Sequence, residues 1–306
     1  MDIFTTLFTN LIPLYMLIGL GWIAGRYFDV DRQSLGSLGI YILMPVVAFG
    51  FVAKIELQPV YILLPIIVFA LFSWLTLLYY MLAQRIYDDH RANLLAMCGG
   101  AGNTGYFGLP IVLLLFDPEW VGVYIFALVG GLVYEATVMY YIANRGRFNM
   151  RDSLIKLFKF PSIYAVIAGL GVNMAGTELP ALFNNYWEHF KGAYVLVGMM
   201  IIGASLAKAE KLIIAPKFLA LTFVGKFIIW PAAAYGLILF DQGVTGWFGP
   251  EIHKMVFLMA IVPPAANIAA FAAKLDMSPE KAATTILIGT IFALFYIPLI
   301  LLVSGL

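Results

Sequence analysis

Two stretches of this chain set helix-breaking residues around an asparagine inside otherwise apolar runs. The first is Gly99-Gly100-Ala101-Gly102-Asn103-Thr104-Gly105-Tyr106-Phe107-Gly108-Leu109-Pro110, and the second is Pro263-Pro264-Ala265-Ala266-Asn267. A helix that stops and resumes exposes the first N–H groups of its new half, and the positive end of that half's dipole, to the gap. In the first stretch, helix is expected to stop near Gly102 and resume near Gly108. Pro110 would then lie in the first turn of the new half, where its missing N–H costs nothing. In the second, Pro263-Pro264 ends one half and Asn267 opens the next. Two such N-termini meeting in one volume suit an anion, above all a carboxylate. The amides of Asn103 and Asn267 add neutral donors that are cheaper to bury than Lys or Arg. The candidate site therefore comprises Asn103, Thr104, Gly105, Tyr106 and Pro110 with Pro263, Pro264, Ala266 and Asn267. Close helix packing through glycine, or a simple proline kink, explains either stretch alone. It explains the two together poorly.

Two ionisable residues also fall well inside apolar runs, Glu135 and Lys226. Charge at such depth is costly and marks a pathway or a relay. At helical rise Glu135 lies about 10 Å, and Lys226 about 13 Å, from the same-side end of its run. The expectation is that they pair, or jointly set the charge of a chamber beneath the crossing, as a coupling or support site. The alternative is that Lys226 snorkels to the interface while Glu135 finds a packed partner. Met44-Pro45, and Met200 within the run Gly198 to Ser205, are candidates for a wall facing the site, although small-residue packing explains them equally well. His90, His189 and His253 read as loop or interface positions, and none has metal-ligand spacing. No metal or cofactor is expected. No acid lies close to either break in sequence, which favours proton coupling over sodium.

The elements that must position these residues are membrane helices. The chain is 63% hydrophobic and 11% charged, with mean hydropathy +0.94, whereas a soluble domain is about 25% charged. A spanning helix needs roughly 20 apolar residues. Ten candidates follow: about 3–25, 34–53, 60–83, 92–116, 119–142, 160–176, 191–207, 217–240, 254–273 and 282–304. The fourth and ninth carry the breaks. Along this ten-span path, 14 of the 18 Lys and Arg fall on one side. Lys54, Lys191 and Lys254 fall on the other, and Lys226 lies within a span. By the positive-inside rule the basic side is cytoplasmic and both termini face outward. The first run lacks a basic leader and a cleavage site, so it reads as a retained helix.

The longest polar connection, 144–159, divides the chain into five-helix halves, 1–143 and 160–306. Five is odd, so the second half enters the membrane inverted, and the break recurs as the fourth span of each half. The fold class expected is all-α and polytopic, ten helices as a 5+5 inverted repeat with two broken crossover helices. Residues 148–159 mix apolar and basic types at helical spacing, which predicts an interfacial helix. Paired breaks in the two halves point to the binding site of a secondary transporter. An intramembrane enzyme lacks support because no Asp pair, H-E-x-x-H or Ser/His arrangement falls in the spans. A primary pump lacks a G-x-x-x-x-G-K-[ST] loop. An anion channel or uniporter could also use half-helix N-termini. Net charge gives no sign of a nucleic-acid partner, and the bilayer itself is the evident one.

The string Gly102-Asn103-Thr104-Gly105-Tyr106-Phe107-Gly108-Leu109-Pro110 resembles the signature of the auxin efflux carrier family, which includes plant PIN-type carriers and bacterial permeases proposed for malate and malonate. Pro263-Pro264-Ala265-Ala266-Asn267 is similar to the family's second crossover. The resemblance implies a fold related to bile acid sodium symporters, commonly dimeric, in an inner membrane. It also implies an elevator mechanism in which spans three to five and eight to ten move past a scaffold of spans one, two, six and seven. In the plant relatives an Asn at each crossover meets the substrate carboxylate, which maps to Asn103 and Asn267. The long central hydrophilic loop of many plant members is absent, which favours a small organic acid as the implied substrate over the alternative of an auxin or indole-acid exporter.

Overall fold

The computed structural model describes residues 3–144, 155, 158–207 and 212–304. Among these, regular structure is helical apart from one isolated bridge. In chain order the helices are α1 (Ile3–Tyr27), α2 (Gln33–Val52), α3 (Pro59–Gln84), α4 (His90–Gly100), α5 (Thr104–Leu115), α6 (Pro118–Ala143) and α7 (Pro161–Met174). They continue with α8 (Ala181–Ala207), α9 (Pro216–Thr245), α10 (Pro250–Ile261), α11 (Asn267–Lys274) and α12 (Pro279–Ser304). By length and composition, α2, α3, α6, α8, α9 and α12 can each cross a bilayer.

Local chemistry sets the ends. Proline opens α3, α6, α7, α9, α10 and α12, where its fixed φ suits a first turn and no N–H is missed. Asp89 caps α4: its carboxylate accepts from the Arg91 amide and from Arg91 Nε, both at 2.9 Å. At the far end of α9, Asp241 is buried and accepts from the Trp247 and Phe248 amides and from His253 Nε2 at 2.8 Å. That cluster fixes how α9 turns into α10. His253 is therefore a buried partner of Asp241 rather than a loop or interface residue, because a carboxylate taken from water needs every donor within reach.

Packing pairs the helices. α1 lies along α8, α2 along α7, and α8 also meets α2. α3 packs on α4 and α6, α9 on α4 and α10, and α11 on α12. A Cβ on Gly21 or Gly203 would overlap the backbone of the facing helix, which shows how closely α1 and α8 approach. α2 also touches α6, α1 touches α12, and α8 touches α5 and α12. Single π-helical turns occur at Gly39–Leu43, Thr104–Gly108, Glu135–Met139 and Gly225–Ile229. Such turns re-aim side chains and recur at functional positions; two of them carry Glu135 and Lys226.

α5 resumes at Thr104, earlier than the expected Gly108. The Asn103 carbonyl takes the first bonds of the new helix, from Gly108 N at 2.9 Å and Phe107 N at 3.3 Å. Asn103 thus stands at the helix entrance, and Pro110 lies beyond the first turn. The interfacial helix expected over 148–159 falls largely outside the described residues.

Candidate functional site

Residues 101–104 and 261–265 are all buried. Ala101 and Val262 leave their helices in extended conformation, at φ −102°, ψ 132° and φ −66°, ψ 153°. Buried backbone outside a helix must find partners, and here each stretch finds the other. They lie antiparallel with Gly102 opposite Pro264. Asn103 N donates to the Pro263 carbonyl at 2.9 Å, and Ala265 N donates to the Ala101 carbonyl at 3.1 Å. Pro263 and Pro264 suit this short ladder because neither has an N–H to satisfy. The ends of α4 and α10 and the beginnings of α5 and α11 therefore meet at one point.

A cavity of about 390 Å³ opens against that point. Asn103, Thr104, Gly105 and Tyr106 line it from α5 and its entrance, Ala266 and Asn267 from the start of α11, and Glu135 from α6. Met44 of α2 and Tyr194 of α8 face them across the space. Ile125, Leu128, Val129 and Leu132 supply much of the apolar wall, and exposed Lys159 stands at the edge. Pro110, Pro263 and Pro264 shape the crossing but do not reach the cavity, and neither do Pro45 and Met200. Met200 packs its backbone on Gly21 instead, while Gly198 of the same run lies against Tyr106. The cavity-facing residue of α8 is Tyr194, whose hydroxyl donates to the Gly105 carbonyl at 3.2 Å and whose ring stacks on Tyr106. Among so many aromatic residues, nothing in the sequence marked it.

Glu135 and Lys226 do not pair. Glu135 and Asn267 instead line the same cavity. The Asn267 Oδ1 atom is buried without a partner. Lys226 is fully buried. Its Nζ donates to the Ala260 carbonyl at 3.2 Å and lies 4.3 Å from the centre of the Trp230 ring. A Cβ on Gly102 would come within 2.8 Å of that Nζ. The ammonium thus sits at the C-terminal end of α10, where an unpaired carbonyl and the negative end of the helix dipole favour a cation. Lys226 is fully buried and committed to that carbonyl, so it does not snorkel either.

Tyrosine hydroxyls brace α5 from several directions. Tyr124 donates to the Thr104 carbonyl at 2.9 Å, and Tyr106 donates to the Gly36 carbonyl at 3.1 Å. The cavity consequently offers amide donors and two helix N-termini at one end, and apolar surface elsewhere.

Apolar helices that can cross a bilayer, packed around a largely apolar cavity with a few polar groups, define a polytopic membrane protein. The comparisons agree: the family described as "Membrane transport protein" matches residues 145–301, just over half the chain. The chain belongs to this family, as its auxin efflux carrier-like motif predicts. An uncharacterized transporter of Methanocaldococcus jannaschii is 27% identical over 288 residues, covering 90% of this chain and 91% of the relative. A protein of Rhizobium meliloti (strain 1021) whose name proposes it as a malonate transporter is 21% identical over 298 residues, covering 92% and 91%. The protein is a multi-pass membrane transporter, not an enzyme.

Proposed function

We propose that this protein is a secondary carrier for a small organic carboxylate, held at mid-membrane between Asn103 and Asn267. The observation that carries this reading is the antiparallel pairing of the two helix interruptions, which turns both asparagines toward one cavity. Neutral donors at helix N-termini bind an anion without the cost of burying a compensating cation. The Rhizobium meliloti relative, by its name, fits a carboxylate cargo.

The wider architecture follows from the same reading. Joining α4 with α5 and α10 with α11 makes ten spans, and 1–143 and 160–306 become inverted repeats. The group α1, α2, α7, α8 serves as a scaffold, and the remaining helices move past it as an elevator carrying the cavity. Exposed Lys159 at the cavity edge belongs to the basic side, so the site opens to the cytoplasm of an inner membrane and both termini face outward. The scaffold is the natural seat of a homodimer interface, and proton coupling is favoured over sodium.

Counterflow into proteoliposomes, with a panel of mono- and dicarboxylates at several pH values, tests the proposal. Saturable uptake that is lost in Asn103→Ala is expected. Uptake that Asn103→Ala leaves intact would place the site elsewhere.

A further inference from the structure

The cavity carries a charge that the carboxylate reading does not use. Glu135 lies well inside α6, half-buried, and lines the same space of about 390 Å³ as Asn103 and Asn267. A carboxylate at membrane depth needs a cation or a set of donors. Among the described residues no Lys, Arg or His forms an ion pair with it. Nor do the groups that share its cavity neutralise it. The Tyr106 and Tyr194 hydroxyls donate to backbone carbonyls, and Lys159 is exposed at the edge. Lys226 is held by the Ala260 carbonyl and the Trp230 ring. Much of the remaining lining is apolar: Ile125, Leu128, Val129 and Leu132 of α6, with Met44 of α2 and Phe271 of α11.

We infer that the cargo carries an ammonium group and an apolar body as well as its carboxylate: an α-amino acid with an apolar side chain. This rests on the crossing being the carboxylate site. Three kinds of surface in one cavity match the three parts of such a molecule. Amide donors and two helix N-termini take the carboxylate. Glu135 takes the ammonium through a charge-assisted hydrogen bond, and so gains the counter-charge that the protein does not provide. The apolar residues of α6, α2 and α11 take the side chain, whose burial adds to the affinity. Charge balance favours the same cargo. A simple carboxylate would set two negative charges in one small volume, and a dicarboxylate three, whereas a zwitterion adds none.

The test is calorimetric titration of the wild-type protein in nanodiscs with leucine, isocaproate, leucic acid and malonate. Isocaproate is leucine without its ammonium, and leucic acid replaces the ammonium by a hydroxyl. Leucine is expected to bind at least about tenfold more tightly than the other three, the worth of one charge-assisted hydrogen bond. In Glu135→Gln that preference should vanish, with leucine weakened and isocaproate unchanged or tightened. If that variant does not fold, the wild-type series still decides. Isocaproate, leucic acid or malonate binding as tightly as leucine would overturn the inference while leaving the carboxylate site intact. So would a preference for leucine that survives Glu135→Gln. Binding that Asn103→Ala leaves unchanged, or a wild-type protein that binds none of the four, would overturn the underlying reading and this inference with it.

Discussion

Gly102 and Pro264 face each other as the centre of a two-bond antiparallel ladder, buried where four helix ends converge. The pairing solves two problems at once. It satisfies backbone groups that leave their helices inside an apolar protein, and it fixes both asparagine-bearing helix starts against a common cavity. A glycine at this point leaves room for the Lys226 ammonium behind it.

Gly102→Val should therefore damage the protein more than its small volume suggests. Its added atoms meet Lys226 Nζ and Val262 Cγ2, at 2.8 and 3.0 Å from the first carbon alone. An overpacking cost of about 1–3 kcal/mol is expected, seen as a lowered midpoint in thermal unfolding of the detergent-solubilised protein. Gly236→Ala, where nothing lies within 4 Å, should leave the midpoint unchanged.

Lys226 separates size from charge. Lys226→Ala opens a cavity beside Trp230 and should cost about 2–4 kcal/mol. Lys226→Met fills the space and removes a buried charge, an exchange that is often close to neutral. Equal losses in the two variants would show that the bond to the Ala260 carbonyl, rather than packing, dominates.

The tyrosine hydroxyls that tie α5 to α2 and α8 should hold the cavity in its present exposure. Tyr106→Phe and Tyr194→Phe each remove one bond, worth about 1 kcal/mol, and together shift the balance between states. Cys98 is fully buried, so a thiol placed by Ser162→Cys reports on the cavity with little background. Its labelling by a water-soluble reagent should slow by about fivefold in the double variant. An unchanged rate would show that these hydroxyls do not hold this state.

Asp89 gives a pH-dependent contribution at the start of α4. The Arg91 guanidinium and amide hold its carboxyl below the ordinary carboxylate range. A depressed value means that the stabilisation is present above the unfolded carboxyl's titration and is lost as pH falls through the folded one. Asp89→Ala should cost about 1 kcal/mol near neutrality. The difference from wild type should vanish in acid, as thermal unfolding across pH can measure.

Much of the site was legible because its chemistry lies in local backbone. Glycine and proline runs announce interruptions wherever they occur, so Asn103 and Asn267 could be singled out and paired. The depth of Glu135 and Lys226 was legible from hydropathy alone. Their surroundings were not: the Ala260 carbonyl that receives Lys226 is a backbone atom with no residue signature, and Glu135 shares its cavity with Asn267 across 132 positions of chain. Tyr194 was hidden for another reason, since one aromatic residue in an apolar helix looks like any other. The ladder itself could not be read, because extended pairing deep in a helical protein follows from how two breaks dock and not from strand periodicity.

The most direct measurement is an experimental density map of the protein with its carboxylate bound. Both carboxylate oxygens should lie within hydrogen-bonding distance of the Asn103 and Asn267 amides, beside the Gly102–Pro264 ladder. Ligand density remote from both asparagines, or uninterrupted helix through either stretch, would contradict the account.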